Sequence, residues 1–247
     1  MSTPFTLEGK RLLVTGASSG IGRATATLCA SMGAQVVACG RDAAKLAEVL
    51  ATLAGSGHSM VVGDLTEAPA RQALVEATAV LDGAVFCAGS VTLAPFRMIS
   101  QRHMDATFAV NFEAPVLLTQ ALFAKKKIAA GASLVYITAV AEHITPTATG
   151  MYSAAKAALK AAVGTIAQEY ARQGIRANCV SPGYVDTPML AGLNKVMGMQ
   201  DKLDLTPLGH IDADDVAGGI AFLLTPASKW ISRVSLVIDG GLILHVR

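Results

Sequence analysis

Short apolar, β-branched runs alternate with longer stretches of helical periodicity along the whole chain, and that rhythm leaves few folds open. Strand candidates fall at Arg11 to Thr15, Gln35 to Cys39, Ser59 to Val62, Ala84 to Phe86, Leu134 to Thr138, Arg176 to Val180 and Ser235 to Ile238. Each is nearly continuous in apolar residues, as a parallel strand buried on both faces must be. Helical patterns lie between them at Gly20 to Met32, Ala43 to Ala54, Ala68 to Thr78, Gln101 to Lys126, Met151 to Arg172 and Ala213 to Leu224. Right-handed crossovers would put these helices on both faces of one sheet. The expectation is an α/β chain, a single doubly wound parallel sheet of about seven strands, with residues 1–247 forming one domain.

Composition narrows the partners. Hydrophobic residues make up 52% and charged residues 15%, which excludes a disordered chain. So little charge also suggests apolar surface covered by another subunit. The net charge of +2 and a single basic run, Lys125 to Lys127, argue against a nucleic-acid partner. The four cysteines, Cys29, Cys39, Cys87 and Cys179, lack metal-ligand spacing and read as small core residues, so no metal is expected. No membrane or secretory segment is apparent in the sequence, and a cytoplasmic location is the default expectation.

The first strand runs directly into glycines 16, 20 and 22 and then a helix, in RLLVTGASSGIGR. A glycine at the strand end permits a tight turn. One at the helix start lets the backbone approach a pyrophosphate, whose charge meets free N–H groups and the positive end of the helix dipole. In a first βαβ unit this is a nucleotide-binding pattern.

TGASSGIG matches the TGxxxGxG signature of the short-chain dehydrogenases/reductases, which are Rossmann-fold proteins, and further motifs agree along the chain. They are GDL (Gly63 to Leu65), FCAG (Phe86 to Gly89) in place of NNAG, VN (Val110, Asn111), YSAAK (Tyr152 to Lys156), SPGYVDTPM (Ser181 to Met189) and DGG (Asp239 to Gly241). The chain resembles that family, with a compact third βα unit like the carbonyl reductase and L-xylulose reductase branch. The resemblance implies a nicotinamide cofactor held by Gly16, Ser18, Ser19, Gly20, Ile21, Gly22, Asp64, Leu65, Ala88, Gly89, Tyr152, Lys156, Pro182, Gly183, Val185 and Thr187. It also implies a homotetramer paired through the long helices and the carboxyl-terminal strand, to which the apolar tail Leu242 to Val246 would contribute. One departure stands before the last strand, where Ile231, Ser232 and Arg233 replace the usual ITG.

An acid at the end of the second strand would bind the adenosine ribose and repel a 2′-phosphate. Gly40 and Arg41 occupy that place. A guanidinium pairs bidentately with phosphate, so NADP(H) is favoured and NAD(H) left open.

Tyr152 and Lys156, four residues apart, share one face of a helix. An ammonium beside a phenol would favour phenolate and make the tyrosine a usable acid/base. The resemblance assigns proton exchange to Tyr152, ribose binding and phenol activation to Lys156, and support of a relay water to Asn111. The family's serine, thirteen positions before the tyrosine, is here Ala139. Thr138 is the nearest substitute donor, although strand alternation points it to the other face, and His143 is a second. Loss of one oxyanion donor costs about 10²- to 10³-fold in comparable enzymes.

Two long irregular stretches, Ala139 to Gly150 and Ser181 to about Pro207, would shape the substrate site, the second as a lid carrying Met189, Met197 and Met199. Val91, Leu93, Ile144 and Met151 suggest a partly apolar pocket. Three functions remain open: an NADPH-dependent carbonyl reductase or the reverse alcohol oxidation; a 3-oxoacyl-carrier-protein or CoA reductase, docking its carrier on Arg97, Arg102 or Lys125 to Lys127; and a non-catalytic dinucleotide binder.

Overall fold

The computed structural model describes residues 3–197 and 204–245. Its strands are β1 (Arg11–Thr15), β2 (Gln35–Gly40), β3 (Ser59–Val62), β4 (Leu81–Phe86), β5 (Ile128–Ile137), β6 (Arg176–Pro182) and β7 (Ser235–Ile238). They form one seven-stranded sheet in the order β3-β2-β1-β4-β5-β6-β7, every pair parallel. The order reverses between β1 and β4, and the crevice at their carboxyl ends is where an open α/β sheet binds ligands.

Alternate residues of each apolar strand supply two cores. Leu12, Val14, Val36, Ala38, Val85, Val135 and Val180 face one side, covered by α1 (Gly20–Ser31), α2 (Ala43–Thr52) and α9 (Ala213–Leu224). Leu13, Val37, Ala84, Phe86, Leu134, Tyr136 and Cys179 face the other, under α3 (Ala68–Ala77), α5 (Ala114–Ala124) and α7 (Gly150–Glu169), with α4 (Gln101–Phe108) packed outside against α7. Both faces are covered over the central strands, which is why these read as continuous apolar runs, whereas the edge strands β3 and β7 stay half-exposed.

The structure departs from the sequence reading at several places. β4 and β5 start earlier than expected. Gly83, which looks like a strand breaker, is a point of close approach, where a Cβ would lie 2.8 Å from Ser133 O and 2.9 Å from Leu12 Cδ2.

The helix expected over 101–126 is broken by a π turn at Ala109–Glu113, where Ala114 N–H donates to Ala109 O. Pro115 has no N–H to give the carbonyl of Asn111, and the Asn111 side chain donates to Thr107 O at 2.9 Å, so the regular ladder is opened from both sides. Within this 24-residue stretch an 18-residue window has mean hydropathy 1.2, long and apolar enough to cross a bilayer by length and composition alone, as the core helix of an α/β sheet can also be. Here its Leu118 and Leu122 are buried against the sheet.

Both stretches expected to be irregular contain helix: α6 (Ala141–Ile144) and α8 (Pro188–Met197). Thr187 accepts Leu190 N–H at 3.4 Å and Pro188 opens the helix, a legible cap and first-turn pair. Met199 and Val246 lie outside the described residues.

Candidate active site

The first concavity is a cleft of about 440 Å³ at the β1/β4 reversal. Thr15 ties its floor together, donating to Val85 O at 3.4 Å and accepting Ala88 N–H at 3.2 Å. Gly16, Ser18, Ser19, Gly20, Ile21, Gly22, Arg41, Asp64, Leu65, Ala88, Gly89 and Thr187 all line the cleft. Gly16 is left-handed (φ 66°), and a Cβ on it would stand 2.9 Å from Ala88 N, so only glycine allows this turn to lie against the strand end.

Ser19 precedes α1 without a side-chain cap, and the first turn carries no acid. Uncapped N–H groups and the dipole therefore face the cleft as an anion site. At its far end Arg41 Nη1 is 3.8 Å from Asp64 Oδ2, both exposed. Hydrogen bonds from Thr66, then the nearby guanidinium, hold the Asp64 carboxyl below its ordinary pKa. These features fit an extended, phosphate-bearing dinucleotide: a glycine cradle with no room for Cβ atoms, free N–H groups, and a cation at the ribose end.

The cleft opens through Cys87, Gly89, Ile21 and Thr187 into a second, apolar cavity of about 160 Å³. Of the predicted cofactor residues, Pro182, Gly183 and Val185 border this cavity instead, alongside Tyr152 and Lys156. Cys87 departs from the core role expected for all four cysteines, whereas Cys29, Cys39 and Cys179 are buried.

Tyr152 and Lys156 stack on α7, with Lys156 Nζ 5.7 Å from the ring centroid of Tyr152. The ammonium is buried and donates to Ile137 O at 2.8 Å, which fixes it at the end of β5. Burial pulls its pKa down to about 8, partly opposed by Cys87, Cys179 and Glu142. Burial, then the charge of Glu142, raises the Tyr152 phenol. The net effect on the phenol is thus opposite to the activation expected from spacing alone.

Asn111 does not line the cavity. From the π turn its amide donates to Ser90 O at 2.9 Å and its Oδ1 accepts Ser90 N–H at 3.3 Å, clamping the segment after β4. A Cβ on Gly89 would lie 3.0 Å from Asn111 Oδ1 and 3.5 Å from Lys156 Nζ, so this glycine is what lets the two approach.

Ala139 is in the cavity wall, so the position of the expected serine presents a methyl group. Neither sequence-level substitute is a free donor. Thr138 reaches the cavity wall, but its Oγ1 is buried and donates to Val180 O at 3.2 Å. His143 does not line the cavity and lies 3.1 Å from Glu142 Oε1.

Ile144 and Met151 are likewise outside the wall, whereas Val91 and Leu93 are in it. The helical turn Ala141–Ile144 aims residues that a loop reading had pointed inward elsewhere.

Sequence reasoning missed Tyr184, Leu190 and Leu193, which close the cavity from the segment after β6 and from α8. It also missed Glu142, whose Oε1 meets Lys160 at 3.2 Å and Ser235 Oγ at 3.5 Å, while Oε2 is buried without a hydrogen-bond partner. A lone glutamate in a loop carries no local signal; only α7 and β7 converging on it make it a buried charge.

A sheet reversal holding a glycine-lined anion cleft, joined to a cavity with a Tyr–Lys pair on one helix, defines a doubly wound oxidoreductase. A family model described as enoyl-(acyl carrier protein) reductase matches residues 16–243. (3R)-3-Hydroxyacyl-CoA dehydrogenase of Canis lupus familiaris is 33% identical over 264 residues, covering 98% of this chain and 99% of its own. A solved short-chain dehydrogenase/reductase family protein superposes with a TM-score of 0.84 at 31% identity, over 96% of this chain and 98% of that one. The structure of a putative 2-deoxy-D-gluconate 3-dehydrogenase from Agrobacterium tumefaciens with bound NADP gives 0.87 at 28%, over 98% and 100%. The chain belongs to the short-chain dehydrogenase/reductase family.

Proposed function

We propose that this protein is an NADPH-dependent oxidoreductase that reduces a carbonyl to an alcohol, or runs the reverse oxidation. The observation that carries the reading is the Tyr152–Lys156 pair opening into a cavity that meets the glycine cleft at Gly89 and Cys87. The bound nucleotide would supply the hydride. Tyr152, its pKa raised, is protonated at neutral pH and suited to giving its proton to the carbonyl oxygen. Lys156 is held between Ile137 O and the edge of the cleft, where its ammonium can bind ribose hydroxyls and stabilise phenolate once the proton has left. Asn111 keeps the Gly89–Ser90 segment in register with both.

NADP(H) over NAD(H) is supported by Arg41 standing where an acid would exclude a 2′-phosphate, and by Ser18 beside Gly40 in the same cleft. A multimer is supported by exposed apolar side chains on β7, in the turn before it and on the long helix, among them Val237, Trp230 and Leu117.

Of the alternatives, an acyl thioester substrate draws support from the dog relative's name. Lys125 to Lys127 are poorly placed for its carrier: they precede β5, whose length, matching that of β4 beside it, sets them about 20 Å from the site at its other end. A non-catalytic binder is favoured only by Ala139. Titration with NADPH and NADH, followed by a ketone panel against the chain and Tyr152→Phe, tests the reading. Expected are tighter NADPH binding and turnover lost in the variant; turnover that survives Tyr152→Phe would remove the proposed acid.

A further inference from the structure

The cavity around Tyr152 is more apolar than proton and hydride transfer require. We propose that it takes a carbonyl or secondary alcohol borne on a plain hydrocarbon framework, aliphatic or aromatic, and selects against polyhydroxylated and anionic substrates. This rests on the reading of that cavity as the substrate site.

Much of the apolar wall comes from three separate segments. Val91 and Leu93 follow β4, Val140 and Pro146 follow β5, and Leu190 and Leu193 come from α8. Among the described residues, no Asp, Glu, Arg, His, Asn or Gln side chain lines it. The one cation lining it, Lys156, is buried and bonded to Ile137 O, and in the proposed reaction its remaining N–H groups serve the ribose and the phenolate, so a substrate carboxylate or phosphate would have no positive partner of its own.

The wall hydroxyls are mostly spent. Thr149 Oγ1 donates to Pro146 O at 2.6 Å and pairs with Ser153 Oγ at 3.0 Å. Thr138 donates to Val180 O and Thr187 to Val185 O, both at 3.2 Å. That leaves Thr147 and Tyr184, besides Tyr152 itself, to meet the several hydroxyls of a sugar or polyol. Each hydroxyl stripped of water and left unmet costs about tenfold in binding, and an apolar chain in the same place gains instead. Ala139 adds to this bias, since its methyl replaces what would be another polar contact in the wall. The relatives do not decide the matter, because one is named for an acyl compound and another for a sugar acid.

The test compares two six-carbon secondary alcohols, 2-hexanol and D-sorbitol, as substrates of the full chain with NADP⁺ and with NAD⁺, and measures by calorimetry the binding of each to the NADPH-loaded protein. The expected result is a kcat/KM at least about a hundredfold higher for 2-hexanol, with the same order in binding. Sorbitol used or bound as well as 2-hexanol, or neither alcohol bound, would overturn the inference. Preferential binding of 2-hexanol without any turnover would uphold the cavity's chemistry and sink the catalytic reading instead.

Discussion

Replacing Ala139 by serine returns a hydroxyl to the cavity wall, and the size of the response reports what serves the reacting oxygen now. Ala139 has only 9% of its surface exposed, yet its side chain borders a cavity of about 160 Å³, so one added oxygen meets open space rather than packed core. If no second donor reaches the oxyanion at present, the serine contributes a full donor, about 10²- to 10³-fold in kcat, or ~3–4 kcal/mol. If instead Thr138 turns its proton from Val180 O toward substrate, the present site pays only for that lost bond, about 1 kcal/mol. The serine would then gain roughly five- to tenfold. Stopped-flow oxidation of NADPH with one ketone separates the cases, run beside Thr138→Val. We expect a gain of about a hundredfold, an NADPH affinity unchanged within about twofold, and little effect of Thr138→Val on rate. A gain below about tenfold, together with a large loss in Thr138→Val, would refute the reasoning that Thr138 is committed to the strand.

Arg41→Ala should weaken NADPH about ten- to a hundredfold and leave NADH within about threefold, measured by nucleotide fluorescence; equal losses for both would show that Arg41 does not meet a 2′-phosphate. Because burial leaves Lys156 with a pKa of about 8, kcat/KM for reduction should be flat at lower pH and fall as the ammonium deprotonates above it. The Glu142 carboxylate raises both Lys156 and Tyr152, so Glu142→Gln should move that limb to lower pH; a limb that stays put would mean the carboxylate is only structural. Arg233 is left-handed at φ 64° while its N–H bonds Ala177 O at 2.8 Å, so Arg233→Gly should keep the bond, relieve the strain and raise stability by about 1 kcal/mol in urea melts. Destabilisation would show that the arginine side chain near Gly164 contributes more than the strain costs.

The layered fold was legible because it depends on local period. A continuous apolar run can be satisfied only between two cores, and Leu12 and Leu13, adjacent in sequence, do face opposite ones. The glycine turn was legible for a similar reason: its geometry is set within a few residues, and Gly16 needs a positive φ whatever the rest of the chain does. Pro115 carried a readable warning that the long helix could not be regular, and Thr187 with Pro188 announced α8.

Tertiary structure alone decided what stands around the Tyr–Lys pair. Spacing puts Tyr152 and Lys156 on one face, but it does not say that Lys156 is held by Ile137 O, that Thr138 is bound to Val180 O, or that a buried Glu142 opposes the activation of the phenol. It likewise cannot say which apolar side chains of three separate segments meet over the substrate. Those facts depend on groups 10 to 42 positions apart in the chain, and on water excluded where β5, β6 and α7 converge. Local sequence fixes backbone conformation through sterics and hydrogen-bond spacing, whereas charge, donor supply and polarity at a point in space are sums over neighbours that only the folded chain brings together.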